Sequence, residues 1–454
     1  MVDAGQNHDD ATGGGLPPMV VQALRRVSRP DYARWEAMMH ASGCCAQPVR
    51  LAGRVLQADP ASGELHVVYT TAGEADQVLL KACETRRATR CPACAAIYRG
   101  DARVLLRSGL DVDGSDQASD DAVGPTAFVT LTAPSFGAVH RFAQSPATCR
   151  PGPGSKACPH GRPIACVEPH EPEDAAVGEA LCPDCYDWEN AVIFNARVGA
   201  LWHHTVIGVN RQLANAAGIR VRMFARSWRL SFAKVVEFQA RGVVHVHALI
   251  RLDHLDESPT VLDASDLVSA FAAAAARVTV QNPLNPGWRV RWGTQTDLQP
   301  IPPERRRVAA AYLAKYATKS VDGAGLLDHR LTSNHHLEQL DLPEQLRRMA
   351  AVAWELGGRP DLQDLNLRAW AHCLGYRGHW LTKSRYWSTT FTELRARRQA
   401  WRLDQLGIDP DDRHRWVGEW SYQGVGHLTA GDAWLAGSAA AGRELNRRIA
   451  WEER

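Results

Sequence analysis

The chain is 454 residues long, room for two to three domains of about 150 residues each. Apolar residues make up 45% and charged residues 22%, which excludes a largely disordered chain, a collagen-like repeat and a small disulfide scaffold. The formal net charge is only +2, but the charges are segregated: residues 220–251 carry Arg220, Arg222, Arg226, Arg229, Lys234, Arg241 and Arg251 against Glu237 alone, while residues 166–190 carry acids and no Lys or Arg. The basic stretch suits either a polyanion or a plain solvated surface.

The opening MVDAGQNHDDATGGG is acidic and Gly-rich and lacks the basic-then-apolar order of a secretory signal. The longest apolar run, residues 270–276, is far too short to span a bilayer. A cytoplasmic protein with no membrane partner is the expectation. Residues 1–18 read as a tail, and residues 19–69 as short helical and strand-like stretches without a motif. Residues 111–124 form a polar loop, followed by the abrupt β-branched strand signal of residues 127–132. Residues from about 144 to 186, rich in Pro, Gly, Cys and acid, read as an irregular insertion. Residues 187–217 then read as a helix with Trp188, Val192, Phe194, Val198, Leu201 and Trp202 on its apolar side. Residues 231–238 and 243–252 predict a hairpin turning at Ala240-Arg241-Gly242. A helix over 262–278, a strand at 288–292 (WRVRW) and a helix over 305–319 follow, and the chain from about 330 onward is mainly helical. The expected division is a region of unassigned role to residue 82, a central domain over 83–330, and a C-terminal region over 331–454 that is a candidate for DNA binding. No GxxxxGK[ST] occurs, so a P-loop ATPase or helicase engine is not encoded.

The chemistry gathers in the central domain. His245-Val-His247 places two imidazoles on one side of a strand. With 18 His in the chain, about one such pair arises by chance, and two polar tips on a half-buried strand would look the same. A hairpin register that pairs 237 with 245 adds Glu237 to the same face. Two imidazoles and a carboxylate with open positions are the donors of a catalytic rather than a structural metal, with nitrogen and oxygen suited to Mg²⁺ or Mn²⁺. In Tyr312-Leu-Ala-Lys315-Tyr316-Ala-Thr-Lys319, Tyr312 and Tyr316 are one turn apart on a helix, and so are Lys315 and Lys319. Ammonium groups there stabilise a phenolate, whose parent phenol has a pKa near 10, and bind phosphate. Core-anchoring tyrosines beside solvated lysines would show the same pattern.

Taken together, Phe128-Val-Thr-Leu-Thr132, His245-Val-His247 and Tyr312-x-x-Lys315-Tyr316-x-x-Lys319 resemble the three ordered motifs of HUH endonucleases, more narrowly those of actinomycete-type rolling-circle plasmid replication initiators. The resemblance covers roughly residues 83–330, and residues 374–379 (LGYRGH) are also similar to a segment of these initiators. It implies an α+β fold in which a central antiparallel sheet with flanking helices carries the metal face, joined by a zinc-stapled insertion and a mainly helical C-terminal region. It also implies an endonuclease that nicks and joins single-stranded origin DNA. A metal on Glu237, His245 and His247 would polarise the scissile phosphate, a tyrosine would attack to leave a 5′-phosphotyrosine, and Lys315 and Lys319 would hold the phosphate. Tyr316 ranks first as nucleophile and Tyr312 second. Host helicase, polymerase and single-strand binding protein are the implied partners. Arg241, Arg305, Arg306 and Arg307 are candidates for DNA contact. The rival readings are a transposase or relaxase with the same chemistry, and a non-enzymatic zinc-bearing DNA-binding regulator.

The cysteines form a second constellation. Cys91-Pro-Ala-Cys94 and Cys182-Pro-Asp-Cys185 are CxxC pairs, preceded by Cys83 and separated by Cys149, Cys158, His160 and Cys166. This is the spacing of structural zinc, with one or two sites. A redox reading would need a βαβ context that the sequence does not offer. Cys158 and Cys166 with Cys182 and Cys185 is one grouping; Cys83, Cys91 and Cys94 with a distant fourth ligand is another. Cys44, Cys45 and Cys373 read as ordinary thiols. His203-His204 and His335-His336 read as surface histidines. Residues 383–402 mix bases and aromatics in a way that suits either a DNA grip or an amphipathic helix.

Overall fold

The alternating apolar residues of the central region fold as one long hairpin, Trp228–Phe238 (β2) and Val244–His254 (β3), with β1 (Thr126–Leu131), β4 (Thr296–Pro300) and β5 (Leu381–Lys383) beside it. The five strands form one antiparallel sheet in the order β5-β2-β3-β1-β4. This is a computed structural model that describes residues 16–59, 62–110, 124–141, 156–166, 169–172, 174–255, 262–322, 329–405 and 416–452. The architecture is mixed helix and sheet, as expected for an α+β chain.

Each face of the sheet is covered, so strand alternation sorts side chains between two layers. Val244, Val246, Ala248, Ile250 and Leu252 of β3, with Ala127, Val129 and Leu131 of β1, belong to one core. That core also takes in α1 (Trp188–Ala216), α2 (Ala264–Arg277) and α4 (Glu344–Leu356). Fully buried Phe194, Leu201, Leu213 and Phe271 each contribute about 1.5–3 kcal/mol by leaving water. Asp187 caps α1 by accepting from the Asn190 N–H, and α2 starts on a capping box of Asp263 and Asp266. On the opposite face, Ala233, Val235, Leu249 and Phe128 pack against Ala310, Leu313, Ala314 and Ala317 of α3 (Arg306–Asp322). The expected strand at 288–292 is reduced to Val290–Arg291, which pairs with Thr279–Val280; Trp292 is instead buried, its indole N–H donating to Thr205.

The hairpin turn is held from behind. Gly242 has φ +79°, a conformation open to glycine and costly for other residues. Asn195 of α1, fully buried, donates to the carbonyls of Gly242 and Leu374 (2.9 Å each) and accepts from the Val244 N–H at 3.0 Å.

The described residues divide into two compact units: Arg99–Ala396, which holds this sheet, and Met1–Tyr98 with Arg397–Arg454. This differs from the expected division at residues 82 and 330, and the reason is strand pairing. In the second unit Val49–Ala58 is central, bonded to Leu65–Thr70 and Leu79–Lys81 and, along its length, to Trp416–Val425. Buried Arg26 of Pro18–Val27 bonds Asp432 at 2.7 Å and Asp76 at 2.8 Å, fastening the first helix to Ala430–Glu452. The C-terminal region is therefore not simply helical. Residues 416–425 are exposed on both faces, so no alternation marks them as a strand. Among the described residues no helix is long and apolar enough to cross a membrane.

Replacing Asn195 with Ala leaves two buried carbonyls and one N–H without their partner. The Asn195→Ala protein is expected to lose about 2–4 kcal/mol of stability, read as a lower urea midpoint.

Candidate functional site

The hairpin register pairs Glu237 with His245 and Val235 with His247. Glu237, His245 and His247 thus stand on the α3 side of the sheet, and their ligand atoms converge. His245 Nε2 lies 3.1 Å from Glu237 Oε2 and 3.2 Å from His247 Nε2, and His247 Nε2 lies 3.5 Å from the same carboxylate oxygen. Neighbouring ligands of an octahedral ion with bonds of about 2.1 Å stand about 3 Å apart, so the three atoms sit at the separations that one divalent ion requires. Burial lowers the pKa of His247 below the ordinary imidazole value, with the neighbouring Glu237 opposing; the neutral, ligating form is favoured. Thr130 of β1, paired with His247 across the sheet, has its Oγ1 3.0 Å from His247 Nδ1. As an acceptor it keeps the proton on Nδ1 and turns Nε2 toward the other donors.

The tyrosine helix crosses this face. The Tyr316 ring stacks on His247 with centroids 4.3 Å apart and planes at 28°. Tyr312, about half exposed, packs edge-on against Phe128 and Tyr316. The two tyrosine hydroxyls are 2.5 Å apart. Desolvation, the Tyr312 hydrogen bond and the Glu237 charge together raise the Tyr316 pKa above that of a free phenol. Lys315 is exposed on the adjoining turn. Lys319 continues the helix, and its side chain lies outside the described residues.

The family described as "Replication initiator protein, pSAM2" matches residues 31–441. A "Replication initiator protein" of Streptomyces ambofaciens is 38% identical over 460 aligned positions, covering 96% of each chain. The chain belongs to this family of replication initiators. No solved structure matches it.

The four arginines expected at an initiator's DNA surface separate. Arg241 does not face outward: its guanidinium donates to the carbonyls of Pro134 (2.9 Å) and Ala133 (3.2 Å) and to Gln239, and its own carbonyl accepts from Gln345. It braces the turn. Arg306 is buried and donates to the Gly124 carbonyl. Arg305 and Arg307 are exposed.

The grouping of Cys83, Cys91 and Cys94 with a distant fourth ligand is the one the structure gathers, while Cys158, Cys182 and Cys185 come together without Cys166. Cys83, Cys91 and Cys94 are joined by Cys45, which the sequence reading passes over as an ordinary thiol. Cys45 Sγ is 3.8 Å from Cys91 Sγ and 3.7 Å from Cys94 Sγ. A tetrahedron of 2.3 Å zinc–sulfur bonds has edges of about 3.8 Å. Backbone N–H groups of Ala46 and Cys94 donate to the Cys91 sulfur and that of Cys83 to the Cys45 sulfur, stabilising thiolates. Cys158, Cys182 and Cys185 gather with His160, whose Nδ1 is 3.3 Å from Cys185 Sγ and 3.5 Å from Cys182 Sγ. Despite the opposing effect of burial, N–H donors from Arg162 and His160 bring the Cys158 thiol down to about 6. Both clusters could hold zinc. Cys166 belongs to neither: it lies 3.3 Å from His140 and 3.2 Å from His170. Cys149 lies outside the described residues. Cys44 and Cys373 are buried thiols outside these clusters. His203, His204 and His335 are exposed, as expected, and within residues 383–402 Trp387 is buried while Tyr386 and Trp401 are exposed.

Thr130 sits in the 127–132 strand, two residues from Phe128, and strand alternation places both on the face of Glu237, His245 and His247, a signal present in the sequence. Cys45 had none, because a Cys-Cys doublet at 44–45 is not a knuckle spacing. Zinc content per chain is expected to fall by about one equivalent in Cys45→Ser and to stay unchanged in Cys373→Ser, measured by metal analysis of the purified proteins.

Proposed function

We propose that the chain is an HUH-type endonuclease and strand transferase that nicks single-stranded origin DNA to start rolling-circle plasmid replication. The observation that carries this reading is one sheet face on which Glu237, His245 and His247 aim their donors at a common point while Tyr316 lies against His247. Membership of a replication initiator family supports DNA as the substrate. The all-nitrogen-and-oxygen donor set fits Mg²⁺ or Mn²⁺. When bound, the ion would supply Lewis-acid polarisation of the scissile phosphate.

The side chains account for the remaining work. Thr130 orients His247. Tyr316 attacks phosphorus through its hydroxyl oxygen, and its proton leaves through the Tyr312 hydroxyl, which opens to solvent. The bond from phosphorus to the 3′ oxygen breaks, that oxygen takes a proton from water, and a 5′-phosphotyrosine remains beside a free 3′-hydroxyl. Lys315 and Lys319 neutralise phosphate charge from the next turn, and Arg305 and Arg307 hold backbone phosphates. The phosphodiester energy is kept in the tyrosine ester, so joining needs no ATP. Tyr312, whose hydroxyl lies 2.5 Å from that of Tyr316, serves the second transfer that closes the circle. With no P-loop in the sequence, unwinding and synthesis fall to host helicase, polymerase and single-strand binding protein.

The test uses end-labelled single-stranded origin DNA, Mn²⁺ or Mg²⁺ and a denaturing gel. A slow-migrating, protease-sensitive adduct is expected, abolished by EDTA and by Tyr316→Phe. Thr130→Val should keep the adduct at saturating metal while requiring about 10-fold more Mn²⁺. An adduct that survives Tyr316→Phe but not Tyr312→Phe would exchange the two roles. DNA binding without any adduct would favour a DNA-binding regulator with a structural metal.

A further inference from the structure

Cys166 and His170 stand four residues apart, and His140 precedes Cys166 by 26 residues. Their ligand atoms nonetheless meet: His140 Nδ1 is 3.0 Å from His170 Nε2, and Cys166 Sγ is 3.3 Å and 3.2 Å from the two. A tetrahedral ion with zinc–nitrogen bonds of 2.0–2.1 Å and a zinc–sulfur bond of 2.3 Å has edges of about 3.3 Å and 3.6 Å, within a few tenths of an ångström of these. His170 is buried, and its other nitrogen, Nδ1, lies 2.6 Å from Asp174 Oδ2. Asp174 is in turn fixed by the Ala176 N–H at 2.9 Å. A carboxylate behind a ligating imidazole is the arrangement that fixes its tautomer and raises its basicity toward a metal.

We propose that His140, Cys166 and His170 form a third zinc site, separate from the two cysteine clusters and from the sheet-face site, with Asp174 as the carboxylate that orients His170. Among the described residues these three side chains are the ones whose ligand atoms meet here. The site has a structural consequence. His140 lies in a short antiparallel ladder with the segment that follows Asp174: Val139 bridges Ala180, the His140 N–H donates to the Glu179 carbonyl, and the Gly178 N–H donates to the His140 carbonyl, each at 2.9 Å. This segment lies directly on the hairpin turn. A Cβ at Gly178 would stand 2.4 Å from the Ala240 carbonyl carbon. Gln345 accepts from the Ala180 N–H and donates to the Arg241 carbonyl, 3.1 Å each, joining segment and turn. The zinc at this site therefore fastens the insertion to the end of the hairpin that carries Glu237 and His245.

The test counts zinc released from the full chain to a chromogenic chelator, in a His245→Ala background so that the sheet-face site does not contribute. Cys166→Ser is expected to release one equivalent fewer than its parent. Asp174→Asn should retain the full count but yield one equivalent about 10–100-fold more readily, while its circular dichroism stays that of the parent. Should Cys166→Ser fail to fold, the parent count and the Asp174→Asn release still decide. Equal zinc from parent and Cys166→Ser, or identical release from parent and Asp174→Asn, would overturn the proposal.

Discussion

The arrangement rests on the register of one hairpin. Side chains alternate between the faces of a strand, so a slip of a single residue would carry every side chain of β3 to the opposite layer. In the observed register Val244, Val246, Ala248, Ile250 and Leu252 fill the core under α1, and His245 and His247 emerge on the other side opposite Glu237 and Thr130. Burying the first set and gathering the second are the same event. Burial of Val244, Val246, Ile250 and Leu252 at about 1.5–3 kcal/mol each far exceeds what any alternative register could recover with two imidazoles in the core. The donor geometry on the face under α3 is thus held by the packing on the other side of the sheet. The turn is fixed independently by Gly242, Asn195 and Arg241.

Clusters of cysteine and histidine that could hold a metal gather where apolar residues are scarce. The insertion between β1 and α1 is polar, rich in Pro and Gly, and offers little to bury. Its described part gathers Cys158, His160, Cys182 and Cys185 in one place and His140, Cys166 and His170 in another. In such a segment metal affinity is folding energy. The same logic holds in the unit built from the two chain ends, where Cys45, Cys83, Cys91 and Cys94 sit beside a small sheet whose faces are largely exposed.

Much of this was legible in the residues. The strand at 127–132, the helix at 187–217, the hairpin with its turn at 240–242 and the tyrosine helix lie within a few residues of the observed elements, because each carries a local signal in periodicity or turn chemistry. The pairing of 237 with 245 is one register that a turn at 240–242 permits, and it is the one observed. What escaped was long-range. Cys45 reaches its cluster across 46 residues from Cys91, and nothing near it announces a ligand. His140 and His170 are single histidines 30 residues apart, and no local pattern announces that they meet. Residues 416–425 pair with 49–57, from the far end of the chain, with no buried face to give them away. Arg241 misled for the opposite reason: a basic residue in a turn suggests a polyanion, yet its donors are taken by the Ala133 and Pro134 carbonyls.

In the proposed function, the face of Glu237, His245 and His247 and the helix above it form one reactive centre, with Tyr316 as its nucleophile. The most direct test is peptide mapping by mass spectrometry of the protein after reaction with origin DNA and nuclease trimming. A nucleotide 5′-phosphate mass is expected on the peptide containing Tyr316, carried by that tyrosine. A nucleotide attached to a residue outside α3, or full DNA cleavage with every tyrosine of the chain unmodified, would contradict it.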